Sequence, residues 1–370
     1  MQIGVPLEIR AGERRVAATP ETVKKLAALH SVFVQAGAGL SANIPDSEFE
    51  AAGAKIVEDA KALYAAAQLI LKVRGLEASE FGLVRDDAIL VGLLSPHEKE
   101  KMQTYSDRGL TAFALESIPR ISRAQSMDVL SSQANIGGYK SVILAANAYG
   151  RFFPMLMTAA GTVKAARVLV LGVGVAGLQA IATAKRLGAV IEAFDVRPAV
   201  KEQVLSLGAK FVEVPLSEGE AAETSGGYAK EMSEDYKRKQ AELIHARAIQ
   251  SDIVITTALI PGRPAPVLLK EETVAAMKHG SVVVDMAVEF GGNCPLSEKD
   301  SVVEKHGVTL IGYSNLPAMM ASDASALYAR NMLNFINLLF EAKTGELKID
   351  REDEIIAGTL ISMNGELVKK

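Results

Sequence analysis

The chain has 370 residues, 49% hydrophobic and 23% charged, which excludes a disordered or low-complexity protein and leaves room for two domains of ordinary size. Forty basic against 44 acidic residues give a formal charge of -4, so no basic field argues for nucleic acid, although single basic patches stay open. Cys294 is the only cysteine, which excludes an internal disulfide and suits a reducing compartment; MQIGVPLEIR lacks the apolar core of a signal peptide, and no run of 18 uncharged apolar residues exists to span a bilayer.

In chain order, IGVP and VFVQAG read as strands with PETVKKLAALH between them as a short helix. QLILKV, AILVGLL and LTAFALE are three further strand-like runs, and HEKEKMQTYSDRG is a helix before the last. Short apolar strands alternating with helices predict a parallel, doubly wound sheet. AGAGL lacks the spacing of a phosphate loop and reads as a turn. From about Ser122 to Met157 the pattern is helical. Strand-like runs then follow in RVLVLG, VIEAF, AKFVEV, DIVITTAL, SVVVDMAV and VTLIGYS, which predict a second sheet of the same kind. DASALYARNMLNFINLLFEAKTG reads as one long amphipathic helix closed by Gly345. Returned to the first sheet, this helix makes the second domain an insertion in the first. The expected architecture is α/β, with two Rossmann-like domains: 1–130 with 310–370, and 131–309.

LVLGVGVAGLQA places Gly172, Gly174 and Gly177 in the G-x-G-x-x-G pattern, after an apolar strand and at the start of a helix. A second strand ends at Asp195, 18 residues after Gly177. The pattern alone is weak; this constellation is specific for a dinucleotide. Gly172 permits the tight turn, Gly174 lets the backbone approach a pyrophosphate, and Gly177 allows helix and strand to pack closely. The turn opens a helix, QAIATAKRLG, whose N-terminus offers N–H groups to phosphate, and Val175 in that turn is a further candidate contact. Asp195 would accept from the adenosine ribose hydroxyls and repel a 2′-phosphate, which favours NAD over NADP; Arg197 softens that preference, since an arginine nearby can accommodate the phosphate. Val196 lies between them. By the carboxyl-end rule for open sheets, Ala258 and Leu259, after DIVITT, lie beside the ligand and suit a nicotinamide face.

SEGEAAETSGGYAKEMSEDYKRKQ, from Ser217 to Gln240, is long and polar for a connection in such a fold. With Gly226, Gly227 and Tyr228 at its centre it reads as a lid over bound nucleotide, or as a solvated surface excursion. In PRISRAQSMDVLSS, Ser122 and Gln125 fit an S-x-x-Q capping box. A helix there puts Gln125, Asp128 and Ser131 on one face, preceded by Arg120. That face could hold a carboxamide and a ribose, or be a solvated helix start. The five histidines, His30, His97, His245, His279 and His306, show no metal spacing, and no nucleophile with its base stands out. Hydride transfer between two nicotinamide rings would need neither, only reacting carbons held roughly 3–3.5 Å apart.

PRISRAQSMD, MTAAGTV, LGVGVAGLQAIATAKRLGA, SGGYAKEM, TTALIPGRPAP and GGNCPLSE together resemble the NAD(H)-binding component (domain I, alpha subunit) of proton-translocating NAD(P) transhydrogenases, over essentially the whole chain. The fold is also similar, more distantly, to alanine dehydrogenase. The resemblance implies a homodimer at the cytoplasmic or matrix face that binds NAD(H) in a cleft between its two domains. It implies direct, AB-specific (Si–Re) hydride transfer to NADP(H) on a partner component, coupled to proton translocation by a membrane-spanning component. Arg120 would anchor the nicotinamide carboxamide, Gln125 would help position the partner's nucleotide, and Asp128 with Ser131 would orient the ring and its ribose. Tyr228 and Gly227 match the mobile loop that closes on the nucleotide, and Gln240 a further cofactor contact.

Three positions weigh the dehydrogenase alternative. Arg15, in GERRVA, looks like the arginine that holds the substrate carboxylate in alanine dehydrogenase. LKVRG, however, puts Arg74 where that enzyme's K-V-K-E-P motif has a lysine, and ILVGLLSPH puts Ser95 in place of its histidine, with His97 two residues on. A stand-alone amino-acid dehydrogenase and a non-catalytic NAD-sensing module are the competing expectations.

Overall fold

The computed structural model of the chain describes residues 1–214, 233–260 and 262–368. It divides into two units, Met1–Gln133 with Pro317–Lys370, and Ala134–Leu316, so the crossings lie at 133/134 and 316/317 and not at the expected 130/131 and 309/310.

The first unit opens with β1 (Gln2–Val5), β2 (Ser31–Gln35), β3 (Lys55–Val57), β4 (Leu69–Arg74), β5 (Ile89–Leu93) and β6 (Thr111–Ala114), all paired in parallel. The central strands read as continuous apolar runs because both faces of the sheet are covered. Ile3, Val5, Leu69, Leu71 and Val91 pack into one core cluster, while Ile70 and Leu90 pack into another.

In the second unit, β7 (Leu156–Thr158) and β8 (Gly161–Val163) form a separate antiparallel hairpin. The second sheet follows: β9 (Arg167–Leu171), β10 (Val190–Phe194), β11 (Lys210–Val212), β12 (Ile253–Thr256), β13 (Val282–Asp285), β14 (Val302–Lys305) and β15 (Val308–Ile311). Its order is β11-β10-β9-β12-β13-β15-β14, parallel except for β14 against β15. Val168 and Val170 of β9 enter one core cluster, and Leu169 and Leu171 enter the other. The order reverses at β9, flanked by β10 and β12, and the crevice beyond the carboxyl end of such a strand is where a doubly wound sheet takes its ligand.

The chain then returns to the first unit. β16 (Leu360–Met363) pairs antiparallel with β6, and β17 (Glu366–Leu367) completes the order β17-β16-β6-β5-β4-β1-β2-β3. The Ala321–Ile336 helix belongs to this unit: its Tyr328, Met332 and Phe335 lie in the same cluster as Ile3 and Leu71.

Two helical expectations are corrected. The stretch 122–157 is not one helix: Ser122–Met127 is a 3-10 segment, the α-helix runs Val129–Ala148, and Met157 lies in β7. The long helix near the end stops at Ile336, well short of Gly345. Beyond it Leu338 and Leu339 bond back three residues, to Phe335 and Ile336, and Phe340 bridges Leu347. Leu339 is fully buried in this tighter path, so an apolar pattern continued where the helix did not.

β4 carries a bulge, its register against β5 shifting between Leu71 and Arg74. The backbone groups freed there are satisfied from both sides. Val73 N–H donates to Glu8 Oε1 at 2.6 Å, and the Tyr328 hydroxyl donates to the Lys72 carbonyl at 2.8 Å.

Candidate functional site

The turn after β9 is shaped by its three glycines. Gly172 sits at φ +95, and a Cβ there would come within 2.7 Å of Thr257 Oγ1. A Cβ on Gly177 would stand 2.0 Å from the Gly172 carbonyl oxygen. At Gly174 an added Cβ would meet nothing within 4 Å, so its backbone faces open space. Gly174 is also the N-cap of the Val175–Arg186 helix, and no side chain caps that end. A tight turn, an open backbone and an uncapped N-terminus suit a pyrophosphate.

Neighbouring residues that the sequence reading did not single out hold this turn. Gly138, in the Val129–Ala148 helix, lies so close to the loop helix that a Cβ would be 2.1 Å from the Ala176 carbonyl oxygen. Thr257 Oγ1 donates to the Gly172 carbonyl at 2.9 Å. Asn293, fully buried, accepts from Ala258 N–H at 3.1 Å and donates to the Ala258 carbonyl at 2.9 Å, fixing the segment after β12. Asp285 in turn accepts from Asn293 N–H at 3.2 Å and Cys294 N–H at 2.9 Å. The available signal was the motif GGNCP itself; it reads as a loop until the fold brings it to Ala258.

Asp195, at the end of β10, is buried and accepts from Val173 N–H at 2.7 Å. Arg197 reaches the same carboxylate through its backbone N–H, Nε and Nη2. Asp195, Val196, Pro198, Phe211, Val214 and Tyr236 line a cavity of about 130 Å³. Ala258 is half-buried and Leu259 is exposed, which leaves the apolar surface expected of them. Gln240 is half-buried on the Glu234–Ala248 helix. Gly227 and Tyr228 lie outside the described residues with most of the expected lid, and its last residues are not loop: Glu234 to Gln240 belong to the Glu234–Ala248 helix.

In the first unit, Arg120 and Gln125 are exposed. The S-x-x-Q capping box does not form: the N-cap of the 3-10 segment is Ile121, with no side-chain cap. The cap belongs six residues later, to the helix proper. Asp128 Oδ1 accepts from Ser131 N–H at 2.9 Å and Oδ2 from Ser131 Oγ at 2.6 Å, just before Val129. Asp128 and Ser131 are thus joined, whereas Gln125 sits on the preceding 3-10 turn and not on their helix. Arg123, between them and Arg120, pairs with Asp353 through both terminal nitrogens, at 2.7 and 2.9 Å.

Comparison with known proteins adds to this geometry. The alanine dehydrogenase/PNT N-terminal domain matches residues 4–137 and the alanine dehydrogenase/PNT C-terminal domain matches residues 141–370. The chain belongs to the alanine dehydrogenase/PNT family. It is 51% identical to an NAD(P) transhydrogenase alpha-subunit chain of Rhodospirillum rubrum, over 100% of this chain and 98% of that protein. The crystal structure of a transhydrogenase from Sinorhizobium meliloti superposes with a TM-score of 0.88 at 46% identity, covering 99% of this chain and 100% of that one. An L-alanine dehydrogenase structure superposes with a TM-score of 0.83 at 27% identity, covering 100% and 97%.

The positions that weigh the dehydrogenase alternative, Arg15, Arg74 and Ser95, lie in or beside a buried charge cluster of the first unit. Arg15 is 2% exposed, and its guanidinium is engaged by Glu13 at 2.8 and 2.6 Å and by Gln133 at 2.8 Å, so it is not presented to a substrate carboxylate. Arg74 Nε lies 3.4 Å from the same Glu13. Ser95, at φ +57, donates its N–H to Glu116 at 2.6 Å, and His97 is exposed and does not take its place. Cys294 is fully buried and burial pushes its thiol up, so it is no nucleophile. Among the described residues no acidic, histidine and cysteine group could hold a metal, and no helix is long and apolar enough to cross a membrane.

Lys72 stands between two buried acids in this cluster, with Glu80 at 2.8 Å and Glu8 at 3.6 Å. The nearer acid takes the cation. Burial pushes Glu8 up to about 7, with Glu13 and Glu80 adding repulsion and Lys72 and the Val73 N–H opposing. Glu13 is held down at about 2 by its hydrogen bonds and charge interaction with Arg15, which outweigh the burial that alone would raise it. A carboxyl raised on folding stabilises while protonated, so the Glu8 contribution is complete below about 4.5 and is lost as pH rises through about 7. Stability to urea should therefore fall by about 3 kcal/mol between those limits. Glu8→Gln should flatten that slope; an unchanged slope in the variant would assign the pH dependence elsewhere.

Proposed function

We propose that the chain is the NAD(H)-binding component of a proton-translocating transhydrogenase, and that it passes hydride directly between its NAD(H) and NADP(H) on a partner component. The observation that carries this reading is the Gly172–Gly177 turn, an uncapped helix N-terminus beside a buried acid at the end of the next strand. The pyrophosphate would lie against the Gly174 backbone and the first turn of the Val175–Arg186 helix. Asp195 would accept from the adenosine ribose, and the cavity walled by Val196, Phe211 and Tyr236 is of a size for the adenine. Leu259 and Ala258 would offer an apolar face to the nicotinamide, whose dihydro form supplies a hydride.

Arg120 would hold the carboxamide, Gln125 would meet the partner's nucleotide, and Asp128 and Ser131 would orient ring and ribose. The Asp128–Ser131 pair suits that task, because its geometry is already fixed by a helix cap. Gln240, with Gly227 and Tyr228, would complete closure over the nucleotide. No proton moves on any residue of this chain in a transfer of that kind. A membrane-spanning component would couple the transfer to proton passage, with this chain docked at its cytoplasmic face.

We further propose a homodimer, supported by the β7–β8 hairpin. It pairs with no other described strand, and Met157 on it and Met155 just before it are 71% and 60% exposed. A sedimentation mass of one chain would overturn the dimer.

The decisive experiment mixes this protein with the NADP(H)-binding component, NADPH and an NAD analogue whose reduced form absorbs distinctly. Reduction should require both proteins. No reduction with NADH binding intact would sink the reading, and NADH formation from NAD and alanine would replace it with the dehydrogenase. Arg120→Ala should slow the transfer by about 100-fold while changing NADH affinity far less, since it misplaces a bound ring. An unchanged rate would discard the role given to Arg120.

A further inference from the structure

Asp195 is the acid on which the cofactor reading places the adenosine ribose, yet protein donors fill it. Oδ1 accepts from Arg197 N–H at 2.9 Å and Arg197 Nε at 2.9 Å. Oδ2 accepts from Val173 N–H at 2.7 Å and Arg197 Nη2 at 2.8 Å. A carboxylate offers about four lone-pair sites, so these donors saturate it. The side chains of Asp195 and Arg197 are 6% and 16% exposed, so little solvent screening weakens the pair.

The four donors are not equivalent. Val173 N–H is fixed by the glycine turn, and Arg197 N–H by a backbone that starts the short Pro198–Val200 turn. Only the guanidinium rides on a rotatable stem. A vicinal diol brings two O–H donors that need the two acceptor positions now held by Nε and Nη2.

We infer that Arg197 occupies the place of a ribose diol on Asp195 and so sets, by competition, the affinity for nucleotides that carry an adenosine ribose. This rests on the NAD(H) reading and changes the role of Arg197 in it: a built-in competitor, not a cofactor ligand. With the guanidinium rotated off, both backbone donors stay on Asp195 and keep the acid oriented.

The test measures NADH and reduced nicotinamide mononucleotide binding to the full chain by fluorescence, in the wild type, Arg197→Ala and Arg197→Lys. The mononucleotide lacks the adenosine ribose. Arg197→Ala should bind NADH about three- to tenfold more tightly, the range for removing one or two competing hydrogen bonds, with mononucleotide affinity unchanged. Arg197→Lys, which keeps the charge but not the fork, should fall between. Weaker or unchanged NADH binding in Arg197→Ala, with thermal melting intact, would overturn the inference, and equal tightening for both ligands would overturn it too. If Arg197→Ala does not fold, the same comparison is decided on Arg197→Lys, where NADH tightening without a mononucleotide effect is required. A wild type that binds the mononucleotide but not NADH would leave the nicotinamide assignment standing and overturn the competition. A wild type that binds neither would sink the cofactor reading itself.

Discussion

Gly177→Ala should weaken NADH binding by about 100-fold, close to 3 kcal/mol, and destabilise the second unit by about 1–3 kcal/mol through overpacking. The added methyl would stand 2.0 Å from the Gly172 carbonyl oxygen and 3.0 Å from its carbon, both backbone atoms that cannot swing aside. The helix must therefore move away from β9, and the N–H groups of its first turn move with it. Gly174→Ala separates the two effects. Its Cβ meets nothing within 4 Å and its φ is -82, so the fold should tolerate it while the methyl intrudes where a pyrophosphate would approach. Titration of NADH fluorescence together with thermal melting distinguishes the pair. Wild-type affinity in Gly177→Ala would show that the turn is not the nucleotide seat.

Lys72→Met should cost about 3–5 kcal/mol, the range for breaking a buried ion pair by removing one partner. Lys72 is 1% exposed, and Glu80, its partner at 2.8 Å, is 3% exposed. Tyr64 donates to Glu80 at 2.5 Å and Glu77 N–H at 2.8 Å, but neither carries charge. Truncating the lysine leaves a buried carboxylate that must stay unpaired or take up a proton. Adding Glu80→Gln to Lys72→Met should recover a good part of the loss, because an amide needs no counter-charge. Urea unfolding of both variants checks this; a single-variant loss under about 1 kcal/mol would mean the site admits water or a compensating cation.

The two sheets were legible because their strands are buried on both faces and read as apolar runs, and the nucleotide turn because its glycines stand at fixed spacing after such a run. Where either cue failed, so did the reading. β3 is three residues long, and β14 is an edge strand, VVEK, in which two of four residues are exposed. Leu338, Leu339 and Phe340 extend a helical pattern past Ile336 because burial, not helicity, is what periodicity reports. At 119–131, the cap went to Asp128 and not to Ser122, because the α-helix starts only at Val129, where the Asp128 carboxylate accepts from both the N–H and the hydroxyl of Ser131. The charge cluster was beyond sequence altogether. Its residues come from three stretches, Glu8 to Arg15, Lys72 to Glu80, and Gln133, and no spacing in the sequence says that these stretches meet.

The bulge in β4 also bears on the order in which the molecule can assemble as it leaves the ribosome. Its Lys72 carbonyl waits for Tyr328, 256 residues downstream, and the edge of β6 waits for Leu360–Met363. The intervening Ala134–Leu316 is continuous in sequence and carries its own core, so its contacts are all available before the first unit's are. The first unit thus spends most of synthesis as an open-edged sheet with a high-contact-order closure still to come, which exposes it to mispairing and to chaperones during that interval.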